Sequence, residues 1–230
     1  MNRSHISKPS SQPIKPNKQH FLLLKVTLMG IRPPIWRRFV VPNTFTLAKL
    51  HHALQTVMGW EEAHPYEFHL GSGVDQCFLG NPDDSNIDDF EEDAQNATAR
   101  NLTYLNKKGM KLIYVYDFGD SWEHEIIVED ADYDYSGEPL VAILEGNRNC
   151  PPEDCGGVYG YCEILEALKH PKNRDAKELL DWLGGKYNPE EFNLELRNKM
   201  LANEFKQKEK SGNKKKTSGE KKARGYWVFS

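Results

Sequence analysis

The sequence predicts an α+β fold. The expected architecture is an antiparallel or mixed sheet of about five to six strands, one helix after the first hairpin, and three C-terminal helices packed against the sheet. Three observations lead there. Short runs rich in β-branched and aromatic residues recur through residues 21–144. Several neighbouring runs are separated by Gly, Pro and Asp intervals too short to hold a crossover helix, so hairpins join them. Beyond residue 157, apolar residues recur at helical spacing in three successive stretches, which places helices mainly after strands. The 230 residues are 38% hydrophobic and 28% charged, the balance of a globular chain rather than a collagenous or wholly disordered one. No run of 18 apolar residues spans a bilayer. The first 20 residues lack an apolar core, so no secretory signal is expected. Four cysteines are too few for a disulfide scaffold, and the expected location is the cytoplasm.

Element by element, Phe21 to Met29 reads as a strand, broken by Gly30 and Pro33-Pro34. Ile35 to Val41 returns as its hairpin partner and stops at Pro42. Thr46 can cap a helix to about Met58, with Leu47, Leu50, Leu54, Val57 and Met58 on one face and Gly59 as the stop. Tyr66 to Leu70 is a short strand, and Gln76 to Leu79 could add another. Met110 to Tyr116 and Trp122 to Val128 form a hairpin around Asp117-Phe118-Gly119-Asp120-Ser121, and Leu140 to Leu144 is a further strand. Three apolar stripes follow: Tyr161, Ile164, Leu165 and Leu168; Ala176, Leu179, Leu180 and Leu183; Leu194, Leu201 and Phe205.

Charge divides the chain into three parts. Residues 1–20 carry four basic residues and no acid; residues 206–224 carry nine basic residues and two acids. The body, 21–205, keeps 17 basic and 32 acidic residues, a net charge of −15. Residues 1–20 and 206–230 read as disordered basic tails, since neither can bury enough apolar surface to offset its ordering entropy. An acidic body repels phosphate, so contact with nucleic acid would have to come from tail residues such as Lys214, Lys215, Lys216, Lys221 and Lys222. The apolar Tyr226-Trp227-Val228-Phe229 beyond them could dock on a protein partner or fold back onto the body.

Four clusters could carry chemistry. His51, His52, Trp60, His64 and His69 come first. His51 lies 40° from Leu47 on the apolar side of its helix, where a histidine is more often a hydrogen-bonded core residue than a ligand. The second is the Asp117–Ser121 turn with Trp122 and His124. Structurally, Asp117 and Asp120 would bond backbone N–H groups and Gly119 would supply a positive φ. Functionally, Asp120 and His124 would be an acid/base or metal-ligand pair. The third is Cys150-Pro151-Pro152-Glu153-Asp154-Cys155-Gly156-Gly157. Its two thiols approach zinc-knuckle spacing, with His124 as one candidate for a further ligand, but no second Cys pair exists. The plain alternative is a rigid loop whose acids cap the next helix. The fourth, Arg32 to Arg38 around Trp36, either stacks on a base or binds an acidic partner, or braces a strand against acidic neighbours.

Ile31-Arg32-Pro33-Pro34-Ile35-Trp36-Arg37, then Leu50-His51, Met58-Gly59-Trp60 and His64, then Tyr116-Asp117-Phe118-Gly119-Asp120 with Trp122 and His124, then Cys150 to Gly157 with Gly160-Tyr161, together resemble the plasmid pRiA4b ORF-3-like family. The resemblance covers about residues 20–205. It implies a bacterial or archaeal α+β domain, often associated with plasmids or other mobile elements, and brings no established activity. A resolvase label attached to some relatives is not carried over, because a nucleophilic Ser amid an Arg cluster is missing here.

Two functions follow as expectations. One is a non-catalytic binding or accessory module, linked to nucleic acid through its tails. The other is a metal-assisted hydrolase in which His51 or His64 converges with Asp117, Asp120, Trp122, His124, Glu153 and Asp154. The motifs demand no cofactor; zinc at Cys150, Cys155 and His124, or another divalent metal at the His/Asp/Glu cluster, is the alternative.

Overall fold

A computed structural model describes residues 19–71, 77–80, 100–184 and 187–217, the backbone alone at 77–79, 175 and 207–217. The basic segments at 1–18 and 218–230, with Lys221, Lys222 and Tyr226–Phe229, lie outside the described residues, as does most of the acidic stretch before Arg100.

The elements are β1 (Phe21–Leu28), β2 (Trp36–Pro42), α1 (Leu47–Met58), β3 (Tyr66–Leu70), β4 (Cys77–Gly80), a 3-10 turn (Leu102–Tyr104), β5 (Lys111–Tyr116), β6 (Trp122–Tyr133), β7 (Ala142–Asn147), α2 (Gly157–Lys169), α3 (Arg174–Trp182) and α4 (Leu194–Thr217). The sheet has seven strands in the order β4-β3-β5-β6-β1-β2-β7. Every pairing is antiparallel. The fold is therefore the α+β arrangement expected, with a single helix after the first hairpin and three after the last strand. The strand count exceeds expectation by at least one.

Helix α1 forms where its apolar spacing and caps agree. Thr46 accepts from Lys49 N, and Gly59 closes the helix at φ 113, a conformation that costs a side-chain-bearing residue more than glycine. Its buried Leu47, Leu50, Ala53, Leu54, Val57 and Met58 join the main core of the domain with the inward side chains of β1, β3, β5 and β6. Complete burial of each such Leu contributes about 1.5–3 kcal/mol before entropy. Strand β6 buries Trp122, His124, Ile126 and Val128 by alternation. Helix α4 packs on α1 and on the edge strand β7. There Asn198 donates to Ile143 O at 2.9 Å and accepts from Ile143 N at 2.7 Å, satisfying backbone groups that a free edge would expose. The backbone of α4 continues through Thr217, past the boundary that composition suggested at 205/206, and includes positions 214–216.

The Arg-rich segment braces the fold. Arg37 is buried and donates to the carbonyl oxygens of Val57, Trp36, Asn147 and Arg148 at 2.7–3.2 Å. Its guanidinium lies 3.9 Å from the Phe192 ring centre, and burial lowers its pKa to about 10. It thus ties the end of α1 to β2 and β7. Arg38 pairs with Glu129 at 2.5 Å and with Glu145. Among the described residues, no helix is long and apolar enough to cross a membrane.

Candidate functional site

Three connections meet at one end of the sheet: residues 59–65 after α1, the 117–121 turn between β5 and β6, and the 148–156 loop before α2. Backbone and side chains lace them together. Trp60 Nε1 donates to Pro151 O at 3.1 Å, and Glu61 N donates to Glu153 Oε1 at 2.9 Å. Ala63 N donates to Tyr116 Oη at 3.1 Å, and that hydroxyl donates onward to Glu153 Oε1 at 3.0 Å. Asp117 N donates to Pro65 O at 2.9 Å. Gly156 N donates to Asp120 Oδ2 at 3.2 Å.

Glycine makes this approach possible. A Cβ at Gly157 would stand 2.4 Å from Asp120 O, and one at Gly160 would stand 1.8 Å from Cys155 O. A side chain at Gly157 would force the start of α2 from the 117–121 turn, and one at Gly160 would force α2 from the loop before it.

Within this junction His64, Asp117 and Asp154 form a cluster whose ligand atoms all lie within 4.8 Å of one another. His64 Nε2 is 3.1 Å from Asp154 Oδ1 and 3.7 Å from Asp117 Oδ2. The nitrogen is buried yet makes no hydrogen bond, so its nearness to Asp154 is not a well-aligned one. Asp117 divides its labour. Its Oδ1 accepts from Gly119 N at 2.9 Å and Asp120 N at 3.3 Å, building the turn, while Oδ2 faces the imidazole. Glu153 adjoins the cluster. Its Oε1 is held by Glu61 N and Tyr116, and its Oε2 is buried without a partner. Desolvation raises the Glu153 pKa, partly offset by the bonds from Glu61 N and Tyr116 and by the field of His64. Burial and the adjoining Glu153 push the Tyr116 hydroxyl well up, so it remains a donor.

The backbone here is unusual. All five described non-glycine residues with positive φ lie in these connections: Glu62 at 59°, Asp117 at 57°, Ser121 at 53°, Arg148 at 65° and Asp154 at 56°. Such conformations persist where surrounding contacts over-determine them, and they gather at functional sites. The turn departs from expectation in this respect. Asp117 and Ser121, not Gly119, take the left-handed conformation, because Asp117 offsets the cost with its local hydrogen bonds. The capping expectation changes as well. Gly156 is the N-cap of α2 and has no side-chain cap of its own; Asp120 serves the Gly156 N–H, leaving Glu153 and Asp154 to turn toward His64.

The remaining candidates lie elsewhere. His51 bonds Tyr114 Oη at 2.8 Å through Nδ1 and stacks on Tyr66 at 3.6 Å. It belongs to a buried aromatic layer that Gln55 completes, and with His52 and Glu62 it forms a second, separate cluster. His124 is fully buried; its Nδ1 sits 3.1 Å from Tyr114 O, and desolvation lowers its pKa to about 4. Its ring meets Trp60 edge-on, and Trp122 is buried beside them. His124 is thus a core residue and not a partner of Asp120. Cys150 is buried near Arg37, and burial carries its thiol far above the ordinary range. Cys155 is pushed up to about 12, chiefly by burial. Neither cysteine joins His124 in a three-ligand group among the described residues. Tyr116 was the contributor least visible in sequence. Alternation in β5 places it with Leu112 and Tyr114 on the buried face, but its reach to Glu153 depends on tertiary packing.

The family model for plasmid pRiA4b ORF-3-like proteins matches residues 20–196. The chain is 40% identical over 162 residues to the uncharacterized protein y4hQ of Sinorhizobium fredii (strain NBRC 101917 / NGR234), covering 70% of this chain and 79% of that one. It also resembles the crystal structure of MM3350, a protein of unknown function from Methanosarcina mazei Go1. That likeness has a TM-score of 0.62 and 32% identity, and it covers 77% of this chain and 97% of the other. The order of motifs, the sheet they build and these matches agree: the chain belongs to the plasmid pRiA4b ORF-3-like family.

Proposed function

We propose that the protein binds a divalent cation through His64, Asp117 and Asp154 and uses it in hydrolysis. The observation that carries this reading is the convergence of one imidazole and two carboxylates, from three separate connections, within 4.8 Å. Ligand bonds of about 2.0–2.2 Å place neighbouring donor atoms roughly 3–4 Å apart, which suits the His64 distances of 3.1 and 3.7 Å. Three protein ligands leave positions for water and substrate, the pattern of a catalytic rather than a structural site. A bound cation would lower the pKa of its water. Glu153, with its free Oε2 and raised pKa, is the base that would take the water proton as the oxygen adds to the substrate, and the acid that would return it to the leaving group.

Titration calorimetry with Mn2+ or Zn2+ tests the binding. One equivalent should bind per chain, and Asp154→Asn should weaken it at least about ten-fold. Asp154 is 70% exposed, so that change should leave folding intact. Equal affinity in both proteins would overturn the assignment. For the chemistry, Glu153→Gln should keep Mn2+ binding but remove turnover of p-nitrophenyl acetate or bis(p-nitrophenyl) phosphate. Turnover equal to wild type, or absent from wild type, would leave only a cation-binding module.

The charge of residues 206–224 supports a second reading, an accessory module that touches nucleic acid. Positions 214–216 belong to the C-terminal end of α4. If that reading holds, DNA affinity should fall steeply with salt and weaken further when Lys214, Lys215 and Lys216 become Gln. Salt-insensitive binding would dismiss it.

A further inference from the structure

A groove of about 450 Å³ lies between the β6–β7 connection and α4, lined by Gly137, Pro139, Leu140, Ala202 and Phe205 among others. Its volume is that of an ordinary ligand pocket; its charged lining residues are Glu138 and Lys206, and the strand end that leads into it is acidic. From Glu129 to Asn147 the chain has six acidic residues and no lysine or arginine. Asp130, Asp132, Asp134 and Glu138 are exposed there.

We infer that this groove is the seat of the chain's own Tyr226-Trp227-Val228-Phe229 segment. Chain length permits it. Thr217 stands about 18 Å beyond Phe205 along α4 at 1.5 Å per residue. The eight residues 218–225, extended, reach about 26 Å, enough to bring Tyr226 back level with Phe205. Charge favours it, because Lys221, Lys222 and Arg224 precede the aromatics and would pass the exposed acids of residues 130–138. Chemistry favours it, because the segment offers three aromatic rings to a groove floored by proline, leucine and phenylalanine, where burial stabilises by area. The inference is independent of the cation site.

Hydrogen exchange of the full-length chain, followed by mass spectrometry, tests it. At low salt the amides of 226–229 should exchange at least about ten-fold more slowly than an unstructured chain, independently of protein concentration. Ala202→Trp, which fills the groove, should remove that protection, and so should Leu140→Lys. Trp227→Ala in turn should expose the amides near 140–141. Unprotected 226–229 amides in the wild type would overturn the inference. So would protection that survives both groove substitutions in proteins of unchanged melting temperature, or protection lost on dilution, which would mark binding to a second copy.

Discussion

Replacing Gly160 with Ala should destabilise the protein by about 3 kcal/mol, lowering its melting temperature by about 6–12 °C, and should weaken cation binding with it. Inside a helix this exchange ordinarily stabilises by about 0.5–1 kcal/mol. Here the new Cβ would stand 1.8 Å from the carbonyl oxygen of Cys155 and 2.9 Å from its carbon. Both are backbone atoms, so no side-chain rotation relieves the overlap, and either α2 or the 150–156 loop must move. That loop carries Glu153 and Asp154. A movement of 1 Å is enough to spoil ligand geometry. Thermal melts and metal titrations of Gly160→Ala beside Tyr159→Ala separate the causes. Tyr159 is 76% exposed, and its replacement should change stability by no more than about 0.5 kcal/mol. Similar behaviour of the two variants would mean that the loop and helix do not pack as described.

The second large effect is on the pH dependence of stability. His124 is fully buried and held neutral, with a pKa lowered to about 4 by desolvation. In the unfolded chain it titrates near 6.5. Between these values the unfolded state binds the proton and the native state does not, so the contribution is present above pH 6.5 and is lost as pH falls toward 4. Between pH 7 and pH 5 it should cost about 2 kcal/mol. Urea midpoints measured at the two pH values should show this loss in the wild type and a smaller one in His124→Leu, which cannot take up a proton. Identical losses in the two proteins would place the titration elsewhere.

Most of the secondary structure was legible because local rules agree with the fold. Apolar spacing with Thr46 and Gly59 as bounds marks α1 to the residue, and Tyr66–Leu70 alternates as a half-buried strand should. The far end of β6 was not legible. Residues 129–133 are Glu, Asp, Ala, Asp and Tyr, with no apolar alternation, and they extend the strand through pairing with β1 at Phe21 and Leu23. The site was half legible. Sequence named His64, Asp117, Glu153 and Asp154 but grouped them with His51 and His124; the apolar face of α1 marked His51 as a core residue, whereas nothing local set His124 apart from the residues of the turn before it. The difference is tertiary. His51 and His124 point into the aromatic layer around Tyr114, whereas His64 stands on the connection that Pro65 ties to Asp117. In the Arg-rich segment, Arg38 braces its strand against Glu129 and Glu145 as its surroundings suggest, but the burial of Arg37 is hidden for a similar reason. Arg37 reads as surface charge until β2, β7 and the end of α1 enclose it with carbonyl oxygens.

The most direct measurement is an anomalous difference map from a crystal of the full-length protein grown with Mn2+ or Zn2+. A single strong peak about 2.0–2.2 Å from His64 Nε2 and from carboxylate oxygens of Asp117 and Asp154 is the predicted result. A map without density between these three side chains at saturating metal, or a metal held at His51, His52 and Glu62 instead, would contradict it.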